Sequence, residues 1–207
     1  EKKTLEGWMK DLRARYGVEA RGYPVDLAAD NGPDRLYRAV IKDAGRLDIL
    51  ANNAGLMAYG NLHEIDLDRQ RRILAVNAGA YLALMRLALG DMVAAGEGRV
   101  LNVSSVSAFQ PSAHHAVYGA TKAFVQSLSE AVNQELRGTG VMVCTLCPSY
   151  TDTPLLKGQG FPDRLRWYSI SGLSSPEAIA RKGLRAFVRG RAVYIPGPRN
   201  WFIHAVL

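Results

Sequence analysis

Apolar positions recur along this chain with two periods, and the switches between them mark out its elements. Leu5, Trp8, Met9, Leu12 and Tyr16 fall at helical spacing and Gly17 follows as a stop signal, so the chain is predicted to open on an amphipathic helix. Residues 18–27, VEARGYPVDL, read as a short strand ending near Asp26, with Pro24 weakening its end. Leu36, Val40 and Ile41 mark one face of a helix over 33–44, and LDILANNAG, residues 47–55, is an apolar strand running into a glycine turn. A long helix is predicted within 65–89, where Ile73, Leu74, Tyr81, Leu82, Met85 and Leu89 are available for burial. A strand over 98–109, a helix over 116–137, a strand over 140–148, a helix over 176–189 with Ser175 as N-cap, and a last short strand over 192–197 complete the pattern. Strands built from near-continuous apolar runs, each followed by a helix, predict an α/β fold with a doubly wound parallel sheet covered on both faces. No repeat, low-complexity tract or long linker divides residues 1–207, so a single domain is expected.

Ligands in such sheets bind beyond the carboxyl ends of the strands. The residues there are Asp26, then Asn52-Asn53-Ala54-Gly55, then Ser104-Ser105, then Pro148-Ser149-Tyr150-Thr151-Asp152-Thr153. Small, polar, turn-forming residues at every such position favour one binding crevice over scattered loops. Composition agrees with an ordinary folded domain: 48% hydrophobic and 22% charged residues exclude wholesale disorder. No run of about 18 consecutive apolar residues occurs and the opening segment is charged, so neither a membrane span nor a signal peptide is predicted, and a cytoplasmic protein is expected. Two cysteines, Cys144 and Cys147, cannot staple a domain of this length. Their spacing mimics a redox pair, but a separation of three places them on opposite faces of a strand, as core thiols.

The net charge of +7 is unevenly placed. Residues 1–156 carry 17 basic and 17 acidic groups, whereas residues 157–207 carry nine basic groups against Asp163 and Glu177. That excess is either a solvated face or a weak contact for an anionic group; nothing in the chain points to nucleic acid.

Tyr118 and Lys122, four apart near the start of a predicted helix, share one face. An ammonium near a phenol favours the phenolate, which suits proton exchange near neutral pH. Alone the pair is weak, since nine tyrosines and seven lysines supply about 0.3 such pairs by chance. Ser105, at the end of a strand thirteen residues upstream, strengthens it by offering a hydroxyl to the same substrate oxygen.

Asn52-Asn53-Ala54-Gly55, Asn77, Asn102-Val103-Ser104-Ser105, Tyr118-Gly-Ala-Thr-Lys122 and Cys147-Pro148-Ser-Tyr-Thr-Asp-Thr153, in this order and at these separations, resemble the classical short-chain dehydrogenase/reductase family along essentially the whole chain. The resemblance implies a Rossmann-type fold and oxidoreduction of a carbonyl/secondary alcohol pair with NADP or NAD, the lean being to NADP, usually as a homodimer or homotetramer. It implies Tyr118 as general acid and base, Lys122 as the group that lowers its pKa and holds the nicotinamide ribose, and Ser105 as the group that orients the carbonyl. Asn77 matches the family's fourth catalytic position. Asp26 and Leu27 match positions beside the adenine, Asn53, Ala54, Gly55 and Val76 those around the adenosine ribose. Pro148, Thr151 and Thr153 match the nicotinamide side. Residues 154–175 fall where the family keeps its substrate-covering loop, which makes Phe161, Trp167 and Tyr168 candidate pocket walls; Tyr150, and His114 before Tyr118, are further candidates. No Cys, Asp or Glu stands at ligand spacing near His114 and His115, so no metal site is expected.

Two departures qualify the match. Ser149 stands where the family has glycine, adding a side chain where the backbone meets the nicotinamide. The family's TGxxxGxG turn, with the first two strands of the sheet order 3-2-1-4-5-6-7, does not occur in the chain. Without those strands, segment 18–27 lacks a ladder partner and the strand at 47–55 exposes an edge; the expectation is that a strand–helix–strand unit of roughly 30 or more residues precedes Glu1 in the full protein. Two other readings compete: an extended-type sugar-nucleotide epimerase, which needs a larger substrate region after Lys122, and a catalytically silent NADP-sensing or scaffold protein, against which the set Asn77, Ser105, Tyr118 and Lys122 speaks.

Overall fold

A computed structural model describes residues 2–157, 161–162, 172–198 and 200. Four parallel strands, β1 (Ile49–Asn52), β2 (Gly98–Val103), β3 (Val141–Leu146) and β4 (Val193–Tyr194), pair in chain order. Six α-helices accompany them among the described residues: α1 (Lys2–Tyr16), α2 (Gly32–Ala44), α3 (Leu67–Leu74), α4 (Ala80–Ala95), α5 (Ala116–Glu135) and α6 (Pro176–Val188). This is the Rossmann-like α/β arrangement that the alternating pattern predicts.

Successive strand residues serve opposite faces. Val100 and Val143 pack with Tyr37, Leu84, Met85, Ala88 and Met92 of α2 and α4, while Leu101, Cys144 and Leu146 pack with Ile179 and Phe187 of α6. Both cysteines are free and buried, as expected of core thiols; burial pushes their pKa values up, Cys144 to about 11 and Cys147 to about 12. Helix α6 lies hard against β3 because Gly183 has no side chain: a Cβ there would stand 2.6 Å from Leu146 Cδ2. Ser175 caps α6 as predicted, its hydroxyl accepting from the Ala178 amide at 3.2 Å.

The long helix differs from its expected bounds. It starts at Leu67, where the Asp66 carboxylate accepts from the Arg69 amide, and runs to Ala95, where Gly96 takes up a left-handed conformation. Between α3 and α4 it widens into a π-turn over Ala75–Gly79, a device that often marks functional sites. The run Leu67–Ala95 is also long and apolar enough to cross a membrane by length and composition; here it buries Tyr81, Leu84, Met85, Ala88 and Met92 in the core.

The predicted strand at 18–27 does not form. Residues 17–26 run without regular pairing, because no described strand lies beside them to complete a ladder. β1 is accordingly an edge, with Ile49 55% exposed, and Trp8 and Tyr16 on α1 are 70% and 67% exposed.

Candidate active site

The carboxyl ends of β1, β2 and β3 open onto a cleft of about 820 Å³. Pairing continues past β2 and β3, through Ser104 N–H to Leu146 O at 2.8 Å and Val106 N–H to Pro148 O at 3.0 Å, which draws Ser105 and Pro148 to the same rim. Its lining includes Asn53, Ala54 and Gly55 after β1, Ser105 after β2, Tyr118 and Lys122 of α5, and Pro148, Tyr150, Thr151 and Thr153 after β3.

Helix α5 carries the candidate chemistry on its buried face. Tyr118, Thr121, Lys122, Val125, Gln126 and Ser129 are all buried, as a 3.6-residue period requires. The Lys122 ammonium donates to Val103 O at 2.8 Å and lies 5.7 Å from the Tyr118 ring centroid. Burial disfavours its charge and lowers its pKa to about 8, with the Cys147 sulfur opposing weakly. Burial likewise raises the Tyr118 pKa, while a hydrogen bond with Ser105 pulls it back. The expected lowering of Tyr118 is therefore not what the chain by itself provides: desolvation dominates there, and the ammonium is turned to a backbone carbonyl.

Asn77, in the π-turn, is wholly buried and clasps the chain after β1. Its Oδ1 accepts from Leu56 N–H and its Nδ2 donates to Leu56 O, both at 2.8 Å, and to Thr121 Oγ1 at 3.2 Å. Thr121 in turn donates to Tyr118 O at 2.7 Å, so Asn77 reaches the start of α5 through one side chain. A buried amide ladder, Asn52 to Asn102 to Ser129, joins β1, β2 and α5 behind the cleft.

Besides Asn77, which is buried behind the cleft, four expected positions fall outside its lining. Asp26, Leu27 and Val76 lie outside the cleft lining. The Asp26 carboxylate is held by the Ala28 amide at 2.9 Å and by Arg72 at 3.2–3.3 Å, which lowers its pKa, the amide having the larger effect. Leu27 and Val76 pack inward. His114 is exposed, with φ of 65°, its ring against Tyr59; His115 lines the cleft in its place. Adjacency in sequence could not separate these two histidines; the backbone turn between them does. Phe161 and Tyr150 line the cleft as expected, and Trp167 and Tyr168 lie outside the described residues. Tyr59 stands behind this wall, its ring centroid 5.1 Å from Phe161 and 6.0 Å from His115. Thr151 and Ser174 are joined by a parallel bridge, which brings the described residues at the two ends of segment 154–175 together.

The nicotinamide–ribose half of a dinucleotide fits this cleft. A Cβ on Gly55 would come 3.9 Å from Lys122 Nζ and 3.7 Å from Asn77 Oδ1, so the glycine keeps the ribose side open. Lys122 Nζ, the Asn53–Gly55 turn and Thr151 and Thr153 are the polar groups available to it. No group in this chain is assigned to the pyrophosphate, since the glycine-rich turn does not occur in it.

Comparison with known proteins agrees with this geometry. The short chain dehydrogenase family profile matches residues 1–160. An oxidoreductase of Staphylococcus epidermidis is 28% identical over 156 residues, covering 75% of this chain and 68% of that protein. A ketoacyl reductase of Nostoc is 30% identical over 170 residues, covering 82% of this chain and 58% of that protein. A short-chain dehydrogenase from Sphingobium yanoikuyae, solved with NADPH, superposes with a TM-score of 0.87 at 28% identity, over 96% of this chain and 76% of that one. The parallel sheet, the cleft at its carboxyl edge and these matches together place the chain in the short-chain dehydrogenase family of NAD(P)-dependent oxidoreductases.

Proposed function

We propose that the protein reduces a small-molecule ketone, or oxidises the matching secondary alcohol, with Tyr118 as the proton donor and acceptor. The observation that carries this reading is the placement of Tyr118, with Ser105 and Lys122, in the lining of one cleft, the Lys122 ammonium 5.7 Å from the Tyr118 ring centroid. The cofactor is read as NADP(H), the nucleotide form bound in the Sphingobium protein; bound here, its nicotinamide supplies or accepts the hydride. Ser105 orients the carbonyl oxygen and Tyr118 gives that oxygen a proton in reduction, or takes one back in oxidation. Lys122 holds the ribose hydroxyls and its charge favours the phenolate. Asn77 acts one layer back, by fixing Leu56 and Thr121.

The cleft wall points to the substrate. Among the described lining residues the titratable ones are His115, Tyr118, Lys122 and Tyr150, and the rest are largely apolar. Burial lowers the His115 pKa, which keeps its ring neutral at neutral pH. An uncharged ketone with a planar apolar substituent suits a wall of Phe161 and His115 backed by Tyr59. The residues over 154–175 would cover it. A homo-oligomer working in the cytoplasm completes the proposal; exposed Leu82 on α4 and Phe124 on α5 offer apolar contact area, and two free thiols suit a reducing compartment.

A panel of aryl ketones, aliphatic ketones and 2-oxo acids with NADPH and NADH tests the reading. Aryl ketones with NADPH are expected to react best. Tyr118→Phe is expected to lower turnover by about 100-fold or more while NADPH still binds, because only the transferable proton is lost. Turnover within about tenfold of the parent contradicts the assignment. NADPH binding without turnover of anything in the panel favours a silent sensor.

A further inference from the structure

Tyr81 has no part in the roles assigned above, yet it sits directly against Lys122. Its side chain is 2% exposed, on the first turn of α4 and four residues after Asn77. The Lys122 ammonium stands over its ring, 5.2 Å from the centroid, closer than it stands to the Tyr118 ring at 5.7 Å. The Tyr81 hydroxyl donates to Ala54 O at 3.0 Å, with Val103 O a second, longer acceptor at 3.4 Å. Val103 O is the same carbonyl that accepts from Lys122. One phenol thus touches the turn after β1, the end of β2 and the ammonium.

We propose that Tyr81 is a positioning residue for Lys122, its ring face holding the ammonium in its charged form and its hydroxyl fixing the Ala54 turn against the end of β2. Rather than a carboxylate, the charge has one hydrogen bond, to Val103 O, and two ring faces among the described residues. A desolvated cation on a π face is the setting in which that attraction is strongest. Among the described residues the other titratable groups facing it are Tyr118 from α5 and Cys147 beyond β3; Glu130, farther along α5, acts on Cys147 and not on the lysine. Among the described residues no acid therefore acts on Lys122 in place of the ring. The hydroxyl has a separate task, since the β1–β2 ladder ends at the pair Asn52 and Asn102: beyond it Val103 pairs only with Leu146 of β3, and that ladder does not fix the Ala54 turn against the end of β2.

The proposal rests on reading Lys122 as the active-site ammonium, but its test is independent of turnover. The Lys122 ε-carbon resonance is followed by NMR against pH in the cofactor-free full chain, where its midpoint is expected near 8. Tyr81→Leu removes the ring face and is expected to lower that midpoint by about one pH unit. Tyr81→Phe keeps the ring and is expected to leave the midpoint nearly in place. Should the leucine variant fail to fold, phenylalanines bearing zero to three ring fluorines at position 81 keep the shape while draining the ring face, and the midpoint is expected to fall stepwise with fluorine count. An unmoved midpoint across that series, or an equal fall in the phenylalanine and leucine variants, overturns the proposal. Loss of turnover with ketones and NADPH bears on the activity instead, and leaves this titration to be read by itself.

Discussion

Helices α1 and α5 carry equally clear helical patterns, yet they end in opposite circumstances. On α5 the periodic face is buried against β2 and β3 and presents Tyr118 and Lys122 to the cleft. On α1, Trp8, Leu12 and Tyr16 are exposed, and the segment after it, also patterned as a strand, stays irregular. Local periodicity is thus sufficient to form a helix and insufficient to bury it. Burial needs a neighbouring element, and a strand needs one even to exist, because its hydrogen bonds lie with another strand.

If this contrast is right, changes at the α5 end act strongly and those on α1 weakly. The largest effect is a pH effect at Lys122. Its folded pKa of about 8 lies below the ordinary 10.5, so between those values the unfolded chain holds a proton that the folded chain has lost. Its buried charge therefore costs stability below pH 8, and that cost is relieved as pH rises toward 10.5. Relative to Lys122→Met, the parent is expected to gain about 3 kcal/mol of unfolding free energy between pH 7 and 11, measured by denaturant titration. A constant difference across that range would mean that the ammonium is not desolvated.

Asn77→Ala comes next. It strips Leu56 N–H and O and Thr121 of a shared partner, and about 2 kcal/mol is expected to be lost in the same measurement. Proton exchange at the Leu56 amide is expected to speed up, which checks that the clasp itself has gone. Smallest is Trp8→Ala, expected to change stability by no more than about 0.5 kcal/mol because the ring is already 70% exposed. A loss as large as that of Asn77→Ala would erase the contrast and show that α1 is packed in solution.

Much of the candidate site is legible in the sequence. Strand ends followed by small polar residues located the cleft, and the spacing of Tyr118 and Lys122 on one helical face required them to meet. Ser105, Pro148, Thr151 and Thr153 needed only that the strand ends be neighbours, and β2 and β3 are. What was not legible depended on pairwise geometry. Two adjacent histidines are equivalent in sequence, and a turn with positive φ at His114 sends His115 into the cleft. Asp26 closes a segment patterned as a strand, yet the strand does not form and Arg72, 46 residues away, pairs with its carboxylate. Tyr81 read only as one more apolar position of a helix until the fold set Lys122 above it.

By itself, then, the sequence determined which segments are helical or extended, which face of each is apolar and which residues follow the strands, because these rest on local sterics and short-range periodicity. Only the tertiary structure decided whether a patterned segment finds its ladder partner, which carbonyl holds the lysine and which way each pKa moves. Those outcomes depend on distance, desolvation and available hydrogen-bond partners, which residues far apart in the chain acquire only when the sheet and helices close around them.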